Sequence, residues 1–253
     1  MKIFSLANKD LKTYFLSPIG YMVLSSFLFL VGFMFYQRLL FFVRQSFQSL
    51  QMGQETLISL NDAVIKPLYG TINILFLFII PLITMRLISE EKKQKTMELL
   101  LTSPLKTMDI VIGKFLSAMY LLFIVLASTL VYPLFLYING NPDPGQMISM
   151  YIGLVFLSAS YVAIGIFWSS LTENQIIAAT LTFFSLLFFW IIDWATQSAS
   201  GVFSAVLYYM SIIRHFESFG EGVLSFKDVV YYLSFCSVFL YFACISIDSK
   251  ARR

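Results

Sequence analysis

His215 is the single histidine of the 253-residue chain, and Arg214 and Glu217 stand beside it. A metal site draws on several nitrogen, sulfur or carboxylate ligands. No such set gathers here, so no metal is expected and His215 reads as a solvated loop residue. Cys236 and Cys244 are the only two cysteines. Within one apolar helix they would sit about 12 Å apart along the axis, too far for a disulfide, so they read as lipid-facing or packed thiols. Asp193 is the one acidic residue at the edge of an apolar run. Ionisable groups inside a membrane are functional candidates by default, but at the end of its run Asp193 can reach headgroup water, and an interfacial residue is expected. No GxxxxGK[ST] loop occurs, so the chain cannot cradle ATP phosphates in the usual way. There is no nucleophile–base constellation and no pair of buried carboxylates. Enzyme chemistry has nothing to stand on, and no catalytic or cofactor-binding residue is assigned.

The densest group of charged side chains lies in residues 86–114. Glu91 and Lys95 are spaced for an i,i+4 pair, so the apolar run before them is expected to continue as a charged helix. Met97, Leu99, Leu100 and Leu101 then form an apolar cluster among charges. Thr102-Ser103-Pro104 should break that helix, because the residue before proline avoids the helical region. Ser103 can cap a new helix with Pro104 at its first position. A solvated loop would not need three consecutive leucines. The cluster is expected to meet a protein partner or the headgroup region.

The elements that position these residues follow from composition. Hydrophobic types make up 58% of the chain and charged types 12%, against roughly 25% charged in soluble domains. Too few charged residues remain to coat a soluble surface. A membrane-crossing helix needs roughly 20 mostly apolar residues. Uncharged runs at 18–36, 67–85, 115–138, 147–171, 176–192 and 229–247 qualify or nearly do. The predicted spans are about 18–36, 67–88, 110–138, 147–171, 176–194 and 229–247. Transmembrane strands would alternate in polarity, and these runs do not. The segment before the first run is no short basic leader, so the first span is expected to be retained. With an inner N-terminus, twelve of the 17 basic residues fall on inner connections and five on outer ones. That bias puts both termini in the cytoplasm. No internal repeat or soluble insertion interrupts the spans, so residues 1–253 read as one domain.

Three further segments have characters of their own. Ile3, Phe4, Leu6, Ala7, Leu11, Tyr14 and Phe15 fall on one half of a helical wheel and Ser5, Asn8, Lys9 and Lys12 on the other, with Asp10 a misfit. An interfacial amphipathic helix is expected there. Residues 139–146 are turn formers and predict a tight outer loop, while Thr172 or Asn174 can cap the fifth span. In the outer connection 195–228, the uncharged stretch 202–213 is too short to span and has the size of a re-entrant element.

Glu90-Glu91-Lys92, Thr96-Met97-Glu98-Leu99-Leu100, Pro104 and Gly113-Lys114 resemble the cytoplasmic signature of type 2 ABC transporter permeases, the six-span membrane subunits of ABC exporters. The resemblance covers the whole chain. It implies an all-α membrane protein with an N-terminal interfacial helix, a cytoplasmic coupling helix between spans 2 and 3, and a short re-entrant segment between spans 5 and 6. It implies that Glu90, Glu91, Thr96, Glu98, Leu99, Leu100, Pro104, Gly113 and Lys114 form the segment that contacts an ABC ATPase subunit, which holds the ATP. It further implies a second permease copy or a homologous permease, a lipid bilayer and no nucleic acid as surroundings, in a bacterial cytoplasmic (inner) membrane. The family commonly has Gly before the Thr, where this chain has Lys95. Residues 211–228 look like the gliding-motility and nitrous-oxide-reductase-maturation permeases, nearer the former. A secondary transporter or channel would need ionisable groups near the bilayer midplane, which the spans lack. A pure scaffold would leave 202–213 unexplained. Nothing in the sequence selects a substrate.

Overall fold

Hydrocarbon offers the backbone no hydrogen-bond partners, so crossing segments must satisfy themselves internally. The computed structural model describes residues 2–16, 18–51, 59–102, 106–198 and 202–251, and helix is the regular structure found among them. Six stretches are long and apolar enough to cross a membrane: Gly20–Gln51, Asn61–Lys93, Thr107–Asn139, Pro144–Leu171, Gln175–Ala195 and Phe226–Ser249. The chain is a multi-pass membrane protein, and its six runs match those expected.

Helix α1 (Lys2–Leu16) precedes α2 (Pro18–Gln51). The apolar face of α1 does not simply lie on lipid. Ala7 and Leu6 are buried, and the helix packs on α6 (Thr107–Thr129). Gly113 of α6 permits this approach, since a Cβ there would press on Leu6. The Tyr14 hydroxyl donates to the carbonyl of Ile83 at 2.6 Å. Burial, with the Asp10 carboxylate second, holds that phenol above its ordinary range, so it stays a donor.

The first span was expected to end near residue 36, but α2 runs to Gln51. Its 34 residues make about 50 Å of helix, well beyond the roughly 30 Å hydrocarbon core. No Gly or Pro interrupts residues 33–51, so nothing stops the helix there. A π-helical turn (Asn61–Ile65) leads into α3 (Lys66–Thr84).

The expected unbroken extension of the second span is corrected. Residues 85–88 form a turn, followed by two short helices, α4 (Ser89–Lys93) and α5 (Thr96–Thr102). They break at Lys95, which sits at φ 57°, a left-handed conformation that costs an L-residue roughly 1–2 kcal/mol. A glycine at this place would have no such cost. The helix therefore breaks earlier than Thr102-Ser103-Pro104 foretold. Ser103 and Pro104 lie outside the described residues. Helix α6 begins at Thr107, where the Asp109 carboxylate accepts from the Lys106 N–H at 3.1 Å.

The third span is two helices, α6 and α7 (Val131–Asn139). Pro133 has no N–H to give to the Thr129 carbonyl, so the ladder gives way at Leu130, whose N–H turns to Ala127 instead. The turn formers then do as expected. Asp143 caps α8 (Pro144–Leu171) by accepting from the Gly145 N–H at 2.9 Å. Asn174 accepts from the Ile176 N–H and so caps α9 (Gln175–Ser198), and Thr172 accepts from the Asn174 N–H.

Helix α8 is the pillar of the fold. It packs against α3, α6, α9, α11 (Ile212–Gly220) and α12 (Phe226–Ala251). Small residues let backbones approach closely where lipid gives no hydrophobic drive between helices. Gly165 takes the Thr84 side chain and Gly153 takes Phe219. Inside, the Tyr161 hydroxyl donates to Asn73 at 3.0 Å. Helix α2, by contrast, leaves Phe29, Phe33, Tyr36, Phe41 and Phe47 exposed.

The outer stretch expected as one re-entrant element is divided. Helix α10 (Val202–Met210) ends, and Ser211 caps α11 by accepting from the Arg214 N–H at 3.3 Å.

Candidate functional site

The residues picked from sequence between 90 and 114 gather at one end of the bundle, but they do not form one exposed surface. Lys114, in the second turn of α6, is 2% exposed. Its ammonium reaches the Glu91 carboxylate of α4 at 2.5 Å and the Asp10 carboxylate of α1 at 2.9 Å. A buried cation is tolerable only when paired with good geometry. Asp10, the misfit on the α1 wheel, is explained by this partner. The expected Glu91–Lys95 pair is thus corrected: Glu91 turns inward to Lys114, and Lys95 lies past the break.

Behind the triad, α4 is tied to α8. The Ser169 hydroxyl accepts from the backbone N–H groups of Ile88 and Ser89, at 3.2 and 3.1 Å, and donates to the Met85 carbonyl. These contacts satisfy N–H groups at the start of α4 that helix geometry leaves without intrahelical partners. Lys92 donates to the Ser170 carbonyl, which also accepts from Ser246 of α12. Thr107 donates to Asp248 at 2.5 Å, closing α6 onto α12.

Among the described residues of 90–106, the exposed ones are polar. Lys93, Gln94, Lys95, Glu98, Thr102 and Lys106 are exposed, while Glu90 and Thr96 are half-buried. Met97 is buried and Leu100 packs partly against the core, so these two do not belong to the apolar outer cluster expected of them. The side chains of Leu99 and Leu101, and all of Pro104, lie outside the described residues. Gly113 and Lys114 sit inside, beneath α1. Sequence reasoning missed Asp10, Ser169 and Ser170, which anchor the segment. Asp10 alone carried a signal, its place on the wrong side of the helical wheel.

The opposite end holds a second polar cluster, and two expectations fail there. His215 is not a solvated loop residue. It lies in α11 at 2% exposure, stacks on Tyr231 with centroids 3.8 Å apart, and donates through Nδ1 to Asp228 at 2.6 Å. Its neighbours are apolar faces and a carboxylate from α12, both invisible to local sequence. Nor does Asp193 rely on headgroup water. It is buried and pairs with Arg214 at 2.6 Å. The single Ser218 hydroxyl proton lies within reach of two acceptors, the Asp228 carboxylate and the His215 carbonyl. Ser218, His215 and Asp228 are the residue types of a hydrolytic triad, but the hydroxyl bonds the carboxylate and not the imidazole, so nothing activates it. Cys236 and Cys244 are free and buried, consistent with packed thiols.

A family model described as "ABC-2 family transporter protein" matches residues 4–243. No curated protein matches the chain.

Proposed function

The chain belongs to the ABC-2 family of transporter proteins, and from that membership we propose that it is the permease subunit of an ABC exporter, driven by an ATPase on a separate polypeptide. Residues 1–253 then act as one transmembrane domain, paired with a second copy or a homologous permease. The ATPase docks on α4 and α5, with Glu98 and its exposed neighbours as the contact and Glu90, Glu91, Thr96, Leu99, Leu100, Pro104, Gly113 and Lys114 framing it. The protein sits in a bacterial cytoplasmic membrane with both termini inside, a reading supported by the excess of Lys and Arg on that side. The resemblance of residues 211–228 to the gliding-motility and nitrous-oxide-reductase-maturation permeases belongs to this proposal.

One observation carries the reading. Helices α4 and α5 are short, yet α4 is bonded to α6 and α8 through Glu91, Lys92 and Ser89, and Lys114 carries the link on to Asp10 of α1. A push on this segment from outside the bilayer is therefore transmitted to three packed elements at once, as rigid connected networks transmit a displacement. The test is co-purification in detergent with the ABC ATPase encoded nearest to this chain. A stable complex that Glu98→Lys weakens, with the permease still folded, supports the reading. An ATPase that never binds the wild type removes it.

A further inference from the structure

A cavity of about 670 Å³ lies behind the α4–α5 segment, between α1, α2, α3 and α6. That size is within the roughly 300–1,000 Å³ of ligand pockets. Its walls divide sharply by chemistry. The deep part is apolar, lined by Leu24, Phe27, Ile79 and Val125, and the rim carries Lys9, Asp10, Arg86, Glu90, Glu91 and Lys114. From Arg86, in the turn after α3, back to Ile79 is seven residues, about 10 Å at helical rise.

Three buried polar atoms at the rim have no hydrogen-bond partner among the described residues: Nε of Arg86, Oε2 of Glu91 and Oδ2 of Asp10, the last held by the Lys114 ammonium at 2.9 Å as an ion pair. Buried polar groups are normally satisfied, and exceptions call for a missing partner. The two that no ion pair reaches are of opposite kind. Arg86 offers a cationic donor suited to phosphate oxygens, and Glu91 offers an anionic acceptor suited to an ammonium. The charge balance points the same way, because Lys9, Arg86 and Lys114 match Asp10, Glu90 and Glu91 one for one, and a rim of no net charge suits a headgroup of no net charge. A fatty acid or an anionic phospholipid would meet Arg86 and leave Oε2 of Glu91 unmet. A headgroup with phosphate and ammonium together meets both.

We propose that this cavity is a binding site for a zwitterionic aminophospholipid of the phosphatidylethanolamine class, its phosphate on Arg86, its ammonium toward Glu91 and Glu90, and the upper part of one acyl chain between α2, α3 and α6. The site does not depend on ATPase docking, so it is tested on the permease chain alone. The full chain is placed in nanodiscs doped with phosphatidylethanolamine carrying a diazirine in its acyl chain, or with phosphatidylglycerol carrying the same chain. Label sites are mapped by mass spectrometry after illumination. The expected result is labelling of Leu24, Phe27 and Ile79 several-fold higher with the ethanolamine lipid than with the glycerol lipid. Arg86→Ala lowers that cavity labelling several-fold, and so does Leu24→Trp, which fills the space and leaves every charge in place. Labelling of the exposed Val238 and Phe242 of α12 stays unchanged in both variants and reports that they fold. Equal labelling by the two lipids, cavity labelling no higher than that of α12 in the wild type, or insensitivity to both substitutions would overturn the proposal.

Discussion

At one end of the bundle a single buried ammonium, Lys114, joins α1, α4 and α6, whose contributing residues are far apart in the chain. At the other end the polar contacts are mostly local: His215 and Ser218 with Asp228, Arg214 with Glu217, and Ser211 capping its own helix. The first arrangement is unbalanced in charge and ties together elements that could otherwise move separately. The second staples two short helices to the start of α12. Shared charge between distant segments suits a place where force enters, and local satisfaction suits a place that holds its shape. The two ends should therefore respond differently to the loss of one partner.

The largest effect is expected from Lys114→Met, which leaves Asp10 and Glu91 facing each other without their cation. Removing one partner of a buried ion pair costs about 3–5 kcal/mol, so thermal unfolding in detergent should shift down sharply. Adding Glu91→Gln should restore much of the loss. No recovery in the double variant would mean the ammonium is not held by those carboxylates.

Asp228→Ala at the opposite end removes the acceptor for both His215 and Ser218. Leaving the buried His215 donor unmet costs about 1–3 kcal/mol, while Ser218 keeps the His215 carbonyl as an acceptor. Limited proteolysis should show the loss confined to α10 and α11, with ATPase binding retained. If ATPase binding failed as well, the two ends would not be separable.

A smaller effect with the opposite sign is expected at the α4–α5 break. Lys95→Gly relieves the left-handed strain of roughly 1–2 kcal/mol, offset by the 0.5–1 kcal/mol or so of extra chain entropy that glycine loses. A net gain of about 0.5–1 kcal/mol remains. Lys95→Val should destabilise the fold, since a β-branched residue tolerates positive φ poorly. Measured unfolding midpoints for the two variants should bracket the wild type.

The smallest change is expected for Asp10→Asn. Lys114 keeps Glu91 and the pair becomes balanced one to one, so the shift should be well below that of Lys114→Met. A loss as large as that of Lys114→Met would show that Asp10, and not Glu91, is the principal partner.

Much of this was legible in the sequence. The six spans, the Asn174 cap and the turn at 139–146 follow from local rules, because run length, capping residues and turn formers act within a few positions of one another. The α2 overrun was harder to foresee, since Arg38 and Arg44 ended the uncharged run without ending the helix. At the candidate site, sequence placed Glu91, Glu98 and Lys114 at one end but assigned all of them to a surface. Lys114 is buried because Asp10 reaches it from more than a hundred positions away, and no local pattern encodes that. Met97 likewise turned inward once Lys95 broke the helix. His215 and Asp193 were misjudged for the same reason: Asp228 and Arg214 come from other helices.

The most direct test of the central claim is site-specific cross-linking within the permease–ATPase complex. Cys236 and Cys244 are first replaced by alanine, and a single cysteine is introduced by Glu98→Cys in α5 or by Glu217→Cys in α11. A short bifunctional reagent should join the ATPase to the α5 cysteine and leave the α11 cysteine unlinked. Cross-linking at α11, or none at α5 in a complex that purifies intact, would contradict the assignment of α4–α5 as the segment where ATP-driven motion enters the membrane domain.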